Sequence, residues 1–200
     1  KRAIYLDHAA TTPVDVRVLE AMQPYWTEVF GNTSSGHSIG RAAQQALDTA
    51  RQAVANVLHC QPGEITFTGC GTESDNLAIR GAAFAAQRAK RGNHLITSPI
   101  EHHAVGATFD QLHDLYGFDV TIVDVDEYGM VDVDAIGRAI RSDTALISVM
   151  YANNEVGTVQ PIAEIGALAR SKGIAFHTDA VQAGGQLTLD VNRLKVDLLA

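Results

Sequence analysis

Short apolar runs recur along this chain with helix-length gaps between them, and that alternation leaves few folds open. HLITS (94–98), FDVTIVDV (118–125), TALISVM (144–150), GIAFHTD (173–179) and VDLLA (196–200) read as strands, and EITFT (64–68) reads as one more. Between them, 72–90, 103–116, 132–141 and 162–171 read as helices. A longer helix over 38–58 places Ile39, Ala42, Ala43, Ala46, Leu47, Ala50, Ala53, Val54 and Val57 on one broad face, at spacings of three and four. Strands separated by helices build βαβ units. The expected class is therefore α/β, with a mainly parallel, mixed sheet flanked by helices. Runs such as ALISV are apolar throughout, as strands covered on both faces should be.

The chain has 200 residues, enough for one large domain or one and a half with a core that needs no staples. The net charge of −8 argues against a general binder of phosphate backbones, so no nucleic-acid partner is expected. Two cysteines, Cys60 and Cys70, make no disulfide framework and fit a reducing, cytoplasmic compartment. No apolar run approaches the ~20 residues that span a bilayer, so no membrane partner is expected. The opening KRAIYLDHAATTP has too short an apolar stretch for a signal peptide. The chain starts at Lys1 and stops at VDLLA, in mid-strand by pattern, and reads as a piece of a longer chain.

In parallel sheets, ligands collect at the carboxyl ends of the strands. Four strand ends in succession carry polar residues here. TGCGTESDN (68–76) is a glycine turn into a helix, with Thr72 placed to cap it. Such a terminus can hold a phosphate, or it can be a plain capped turn. It is no Walker loop and an incomplete dinucleotide fingerprint. EHHAV (101–105) puts two histidines at a helix start. They can be surface residues, or an imidazole can stack on a planar ligand; adjacent histidines point apart and make a poor zinc pair. In YANNEVG (151–157) the amides can build a turn or reach a ligand oxygen.

Asp179, in HTDAVQAGG (177–185), is the sharpest single residue. A buried carboxylate needs a partner. A metal would ask for more ligands than His177 and Asp179, and no metal site is expected. A ribose acid would follow a glycine fingerprint by ~20 residues, whereas Asp179 lies far beyond. A ring nitrogen that must stay protonated suits such an acid well, and Gln182 reaches the same ligand if the turn folds back.

Taken together, YLDHAATTP, FGNTSSGHSIG, TGCGTESDNLAI, ITSPIEHHAV, YANNEVGTVQPI, HTDAVQAGG and LKVDLLA resemble the cysteine desulfurases of the NifS/IscS group, within the class V aminotransferases that use pyridoxal 5′-phosphate (PLP). The likeness runs through the whole chain. EHHAV and NNEVG favour this group over the SufS and selenocysteine-lyase-like group. The resemblance implies the large domain of the fold type I PLP enzymes over 16–200, incomplete at its C-terminal end. It implies that 1–15 packs with the small domain of the full enzyme. It implies that Gly71 and Thr72 hold the PLP phosphate and that His102 stacks on the ring and can shuttle protons. Asn154 then contacts the ring region, Asp179 pairs with the ring nitrogen and Gln182 reaches the ring hydroxyl. His102 and Asp179 are the expected catalytic residues.

The implied reaction takes sulfur from L-cysteine, leaving L-alanine and an enzyme persulfide. Its implied setting is a homodimer serving an iron–sulfur scaffold or another sulfur acceptor. Another PLP-dependent lyase or aminotransferase of the same fold, or a non-catalytic truncated module, are the alternatives. Gly69, Cys70 and Gly71 stand where the family turn has Ser, Gly and Ala, and Thr33 stands for a usual proline. The family's PLP lysine follows the strand that VDLLA begins, and its persulfide cysteine lies further downstream. Lys1, Lys90, Lys172 and Lys195 match no such position, so the 200 residues by themselves are expected to be inactive.

Overall fold

The computed structural model describes residues 3–200, and the chain divides into two compact units, Lys1–Thr66 and Phe67–Ala200. The first is helical. Asp15 caps α1 (Val16–Met22), its carboxylate accepting from the Arg17 N–H at 2.8 Å. α2 (Pro24–Thr27) opens on a proline, which has no N–H to leave unpaired in a first turn. α3 (Ser38–Leu58) starts at His37, whose ring accepts from the Gly40 N–H, and ends at His59 in the left-handed region. Of its expected apolar face only Ala43 is fully buried; Ile39 and Val57 stay exposed.

The strand expected over 64–68 does not form. Pro62–Glu64 winds into a 3-10 turn, in which the Glu64 carboxylate accepts from the Gln61 N–H at 2.7 Å. That turn takes Glu64 out of extended geometry, and residues 65–68 join no sheet.

The second unit carries the sheet. Its strands are β1 (His94–Thr97), β2 (Asp119–Ile122), β3 (Thr144–Ser148), β4 (Ala175–Thr178) and β5 (Leu198–Leu199). They run in the order β2-β1-β3-β4-β5, and every pairing is parallel. Antiparallel pairing among the described residues is confined to two isolated bridges, Val125–Val131 and Ala152–Val159. The connecting helices are α4 (Gly71–Arg88), α5 (His103–Tyr116), α6 (Val133–Ala139), α7 (Ile162–Lys172) and α8 (Val191–Leu194). The short α1, α2 and α8 were not expected from periodicity, which needs several turns to show.

Successive strand residues face opposite ways, and the core obeys this. Leu95 and Leu146 pack with Ile79 of α4 and Phe109 of α5. Their neighbours Ile96, Ile147 and Phe176 pack with Ile136 of α6 and Ile165 of α7. Both faces of the sheet are therefore dry, as the unbroken apolar runs require. β1 lies between β2 and β3, so the chain leaves β1 to one side and then crosses back over it to the other. The carboxyl ends of β1 and β3 flank that switch point, where such sheets bind ligands. No helix among the described residues is long and apolar enough to cross a membrane.

Candidate active site

The polar segments singled out from the sequence all sit at the carboxyl end of this sheet. Asp179 follows β4 directly. Its backbone extends the ladder, the carbonyl accepting from the Tyr151 N–H at 2.8 Å. Its side chain is buried, and Oδ1 accepts from the Val181 N–H at 3.0 Å. Burial pushes this carboxyl above its usual range; the Val181 hydrogen bond and a positive charge on His102 work against that. Gln182 lies half-buried in the turn that follows.

α4 starts one residue earlier than the spacing suggested. Thr72 is its second residue and does not cap it; Cys70 takes the cap position and offers no side-chain hydrogen bond. Glu73 reaches back instead, its Oε2 accepting from the Gly69 N–H at 2.6 Å, and Thr68 Oγ1 meets Ser74 Oγ at 2.6 Å. The glycine at 71 allows a close approach. A Cβ there would stand 2.9 Å from Val181 Cγ2, in the turn that carries Asp179 and Gln182.

His102 is the N-cap of α5. Its Nδ1 accepts from the Ala104 N–H at 3.1 Å, which places the ring proton of the neutral form on Nε2. His102 and Asn154 line one pocket of about 410 Å³, together with Glu101, His103, Asn153 and Glu155. Gly71, Thr72, Asp179 and Gln182 are not in that pocket's wall. Asn154 turns its amide to Glu155, donating to Oε1 at 2.8 Å. The buried Asn153 organises the loop: its amide donates to the Ile100 carbonyl at 2.9 Å and its Oδ1 accepts from the N–H groups of Glu155 and Val156.

Three further groups had no assigned role from the sequence: Glu101, Asp75 and His177, the last weighed there only as a metal ligand. Glu101 Oε1 accepts from the Met150 N–H at 3.0 Å and from the Ser98 hydroxyl, tying the end of β1 to the end of β3. Its Oε2 is buried without a hydrogen bond. Burial pushes this carboxyl up to about 8, against the two hydrogen bonds and with the charges of Asp179 and Asp75. Asp75, in the first turns of α4, is 1% exposed. Burial and the charge of Asp179 raise it to about 7. Across from it, His177 is fully buried on β4. Its Nδ1 lies 2.8 Å from Ser148 Oγ, and its Nε2 lies 3.5 Å from Asp75 Oδ1. Burial pushes His177 down to about 3, so the ring is neutral.

A signal for Asp75 was present. It continues the buried stripe of Ile79, Ala83 and Ala86 one turn towards the N-terminus, an acid in an apolar position. Glu101 had no such signal, because its partner, the Met150 N–H, lies far along the chain.

The donor set fits a ligand with an anionic group at one end and a basic ring nitrogen at the other. The uncapped start of α4 presents free N–H groups and a glycine that admits close approach. Asp179 offers a buried carboxylate beside it. Among the described residues no cluster of three or more His, Cys, Asp or Glu could hold a metal ion.

The family described as aminotransferase class-V matches residues 4–200. A cysteine desulfurase IscS of Methanosarcina thermophila is 53% identical over 199 residues, covering 100% of this chain and 48% of that protein. The cysteine desulfurase IscS of Dictyoglomus turgidum is 48% identical over 200 residues, 100% of this chain and 50% of its own. Among solved structures, "SspA in complex with cysteine" superposes with a TM-score of 0.92 at 43% identity, covering 98% of this chain and 55% of that one. The chain spans about half the length of the curated relatives it matches.

Proposed function

We propose, from the premise that the chain belongs to the aminotransferase class-V family, that the whole protein is a PLP-dependent cysteine desulfurase. The observation that carries this is Asp179, a buried carboxylate at the end of β4 beside the uncapped start of α4. PLP, when bound, supplies an electron sink that works while its ring nitrogen is protonated. Asp179 holds the proton at that nitrogen. The first-turn N–H groups of α4 with Thr72 and Gly71 hold the phosphate. His102, fixed by its cap hydrogen bond, orients the ring and moves protons through Nε2. Asn154 and Gln182 complete the polar contacts around the ring.

The substrate is L-cysteine. Its carbon–sulfur bond breaks, the carbon skeleton leaves as L-alanine, and the sulfur passes to a cysteine of the whole protein as a persulfide. The protein then acts as a cytoplasmic homodimer that hands sulfur to an iron–sulfur scaffold or another acceptor.

The test is the whole protein with PLP and L-cysteine. Alanine and protein-bound persulfide in equal amounts are expected. Amino-group transfer to an oxo acid without sulfur release would instead make it an aminotransferase. Neither product, with PLP bound, would leave the desulfurase reading without support.

A further inference from the structure

Beneath the candidate site lies a second polar contact that those roles do not use. His177 lies on β4 and Asp179 just past its end, where the backbone still continues the ladder, and residues two apart along such a backbone share a face. Ala175 of that face packs with the α4 side of the core, so His177 and Asp179 both look towards α4. Asp75 follows Gly71 by four residues and Thr72 by three, and so stacks under them on the helix. The contact of Asp75 with His177 therefore sits one layer below the place where the α4 start meets the turn after Asp179. Deeper in the same interface α4 presents Ile79, Ala83 and Ala86, all apolar and buried. An acid and an imidazole occur only in the layer next to the site.

The row is anchored at one end and slack at the other. Ser148 and His177 are register partners on β3 and β4, and Ser148 Oγ holds His177 Nδ1 at 2.8 Å. Nε2 and Asp75 Oδ1 face each other at 3.5 Å, beyond good hydrogen-bond length, and both are buried without another hydrogen bond. Unmade hydrogen bonds in a dry interior are costly. That cost falls if α4 and β4 close by a few tenths of an ångström. An apolar pair would hold the two elements at any spacing that fills space; a directional pair prefers one.

We propose that Asp75 and His177 are positioning residues, whose buried contact sets the spacing between the α4 start and Asp179 and so fits the site to a ligand that spans both. This rests on the reading that those two features hold opposite ends of one ligand.

The test uses the whole protein and three probes: PLP, which spans the site, and pyridoxal and inorganic phosphate, which each engage one end. In Asp75→Leu and His177→Leu, the dissociation constant for PLP should rise about tenfold or more, the scale on which supporting residues act on a bound group. The constants for pyridoxal and phosphate should stay within about twofold of the parent. Asp75→Asn, which keeps a hydrogen-bonding group at the same place, should regain most of the PLP affinity. Equal weakening of all three probes would reduce the pair to general support of the fold and overturn the proposal, as would unchanged PLP affinity.

A measurement on the unsubstituted protein covers variants that fail to fold. The ring-nitrogen NMR signals of His177 should shift when PLP is added and should not shift with phosphate alone. Identical signals with and without PLP would refute the spacing role. An unsubstituted protein that takes up no PLP would bring down the functional reading and this inference together.

Discussion

Two buried histidines stand at opposite ends of the same parallel sheet, and they are satisfied to different degrees. His94, the first residue of β1, meets Thr144 Oγ1 with Nδ1 at 2.7 Å and Thr121 Oγ1 with Nε2 at 2.8 Å. The Thr144 hydroxyl also accepts from the Arg141 N–H at 2.8 Å. Around that end Arg141 pairs with Asp119 and Asp143. His177, near the other end, has one firm partner and one loose one. With it lie two raised carboxyls, Asp75 and Glu101, and two buried carboxyl oxygens without hydrogen bonds. A fully satisfied polar cluster holds its strands together and has nothing left to offer. A partly satisfied one carries unmet demand, which a ligand can meet.

The sharpest way to break this contrast is Asp179→Asn in the whole protein. Turnover of L-cysteine should drop about a hundredfold or more, the scale of losing a preorganised charge at a reaction centre. The denaturation midpoint should hardly move. Unchanged turnover would remove Asp179 from the chemistry.

His94→Ala should behave in the opposite manner. It leaves two threonine hydroxyls without their partner and opens a cavity, a loss of about 2–4 kcal/mol in stability. PLP affinity of the folded variant should be unchanged. Denaturant unfolding and cofactor titration on one preparation measure both, and a loss of affinity would make the two ends equivalent.

A pH series sharpens the picture further. Native Glu101 keeps its proton up to about 8, whereas the unfolded chain releases it near 4.5. Between those values the native state binds more protons, so this group's contribution to stability falls as pH rises. Glu101→Gln removes the effect, so the variant should gain on the parent between about pH 5 and pH 8. His177 has the reverse sign. It is neutral when folded down to about 3 and has an ordinary value of 6.5 when unfolded, so its contribution is lost as pH falls through that window. A Glu101→Gln difference that stays flat with pH would show the carboxyl to be ionised.

The smallest effect belongs to Arg141→Gln. Its ion pairs are exposed to solvent and screened by salt, so only a slight loss of stability is expected, fading as salt is added. A loss that persisted in high salt would mean that this end depends on charge more than on the His94 hydrogen bonds.

How much of this was readable in the chain depends on the reach of each interaction. The strands HLIT and TALIS were plain, because both faces of each are buried and every residue but His94 is apolar or small. EITFT shows a similar run after its glutamate, but that glutamate is taken into the Pro62–Glu64 turn and 65–68 form no strand. Asp179, Gln182, Gly71, Thr72, His102 and Asn154 lay in short segments with a visible pattern. The burial of Asp75 and Glu101 is made by partners far along the chain: β4 reaches one, and the Met150 N–H reaches the other. Local spacing marks Asp75 as lying on the buried stripe of α4, but it records neither of these partners.

The tight approach of Gly71 to Val181 also bears on how such a site can change over generations. With only 2.9 Å between a new Cβ and Val181 Cγ2, alanine at 71 pushes against the turn that carries Asp179. Alanine at 181 first would open that space. The two positions therefore admit substitution in one order more readily than the other, and the history of the glycine turn is tied to that of the loop carrying Asp179.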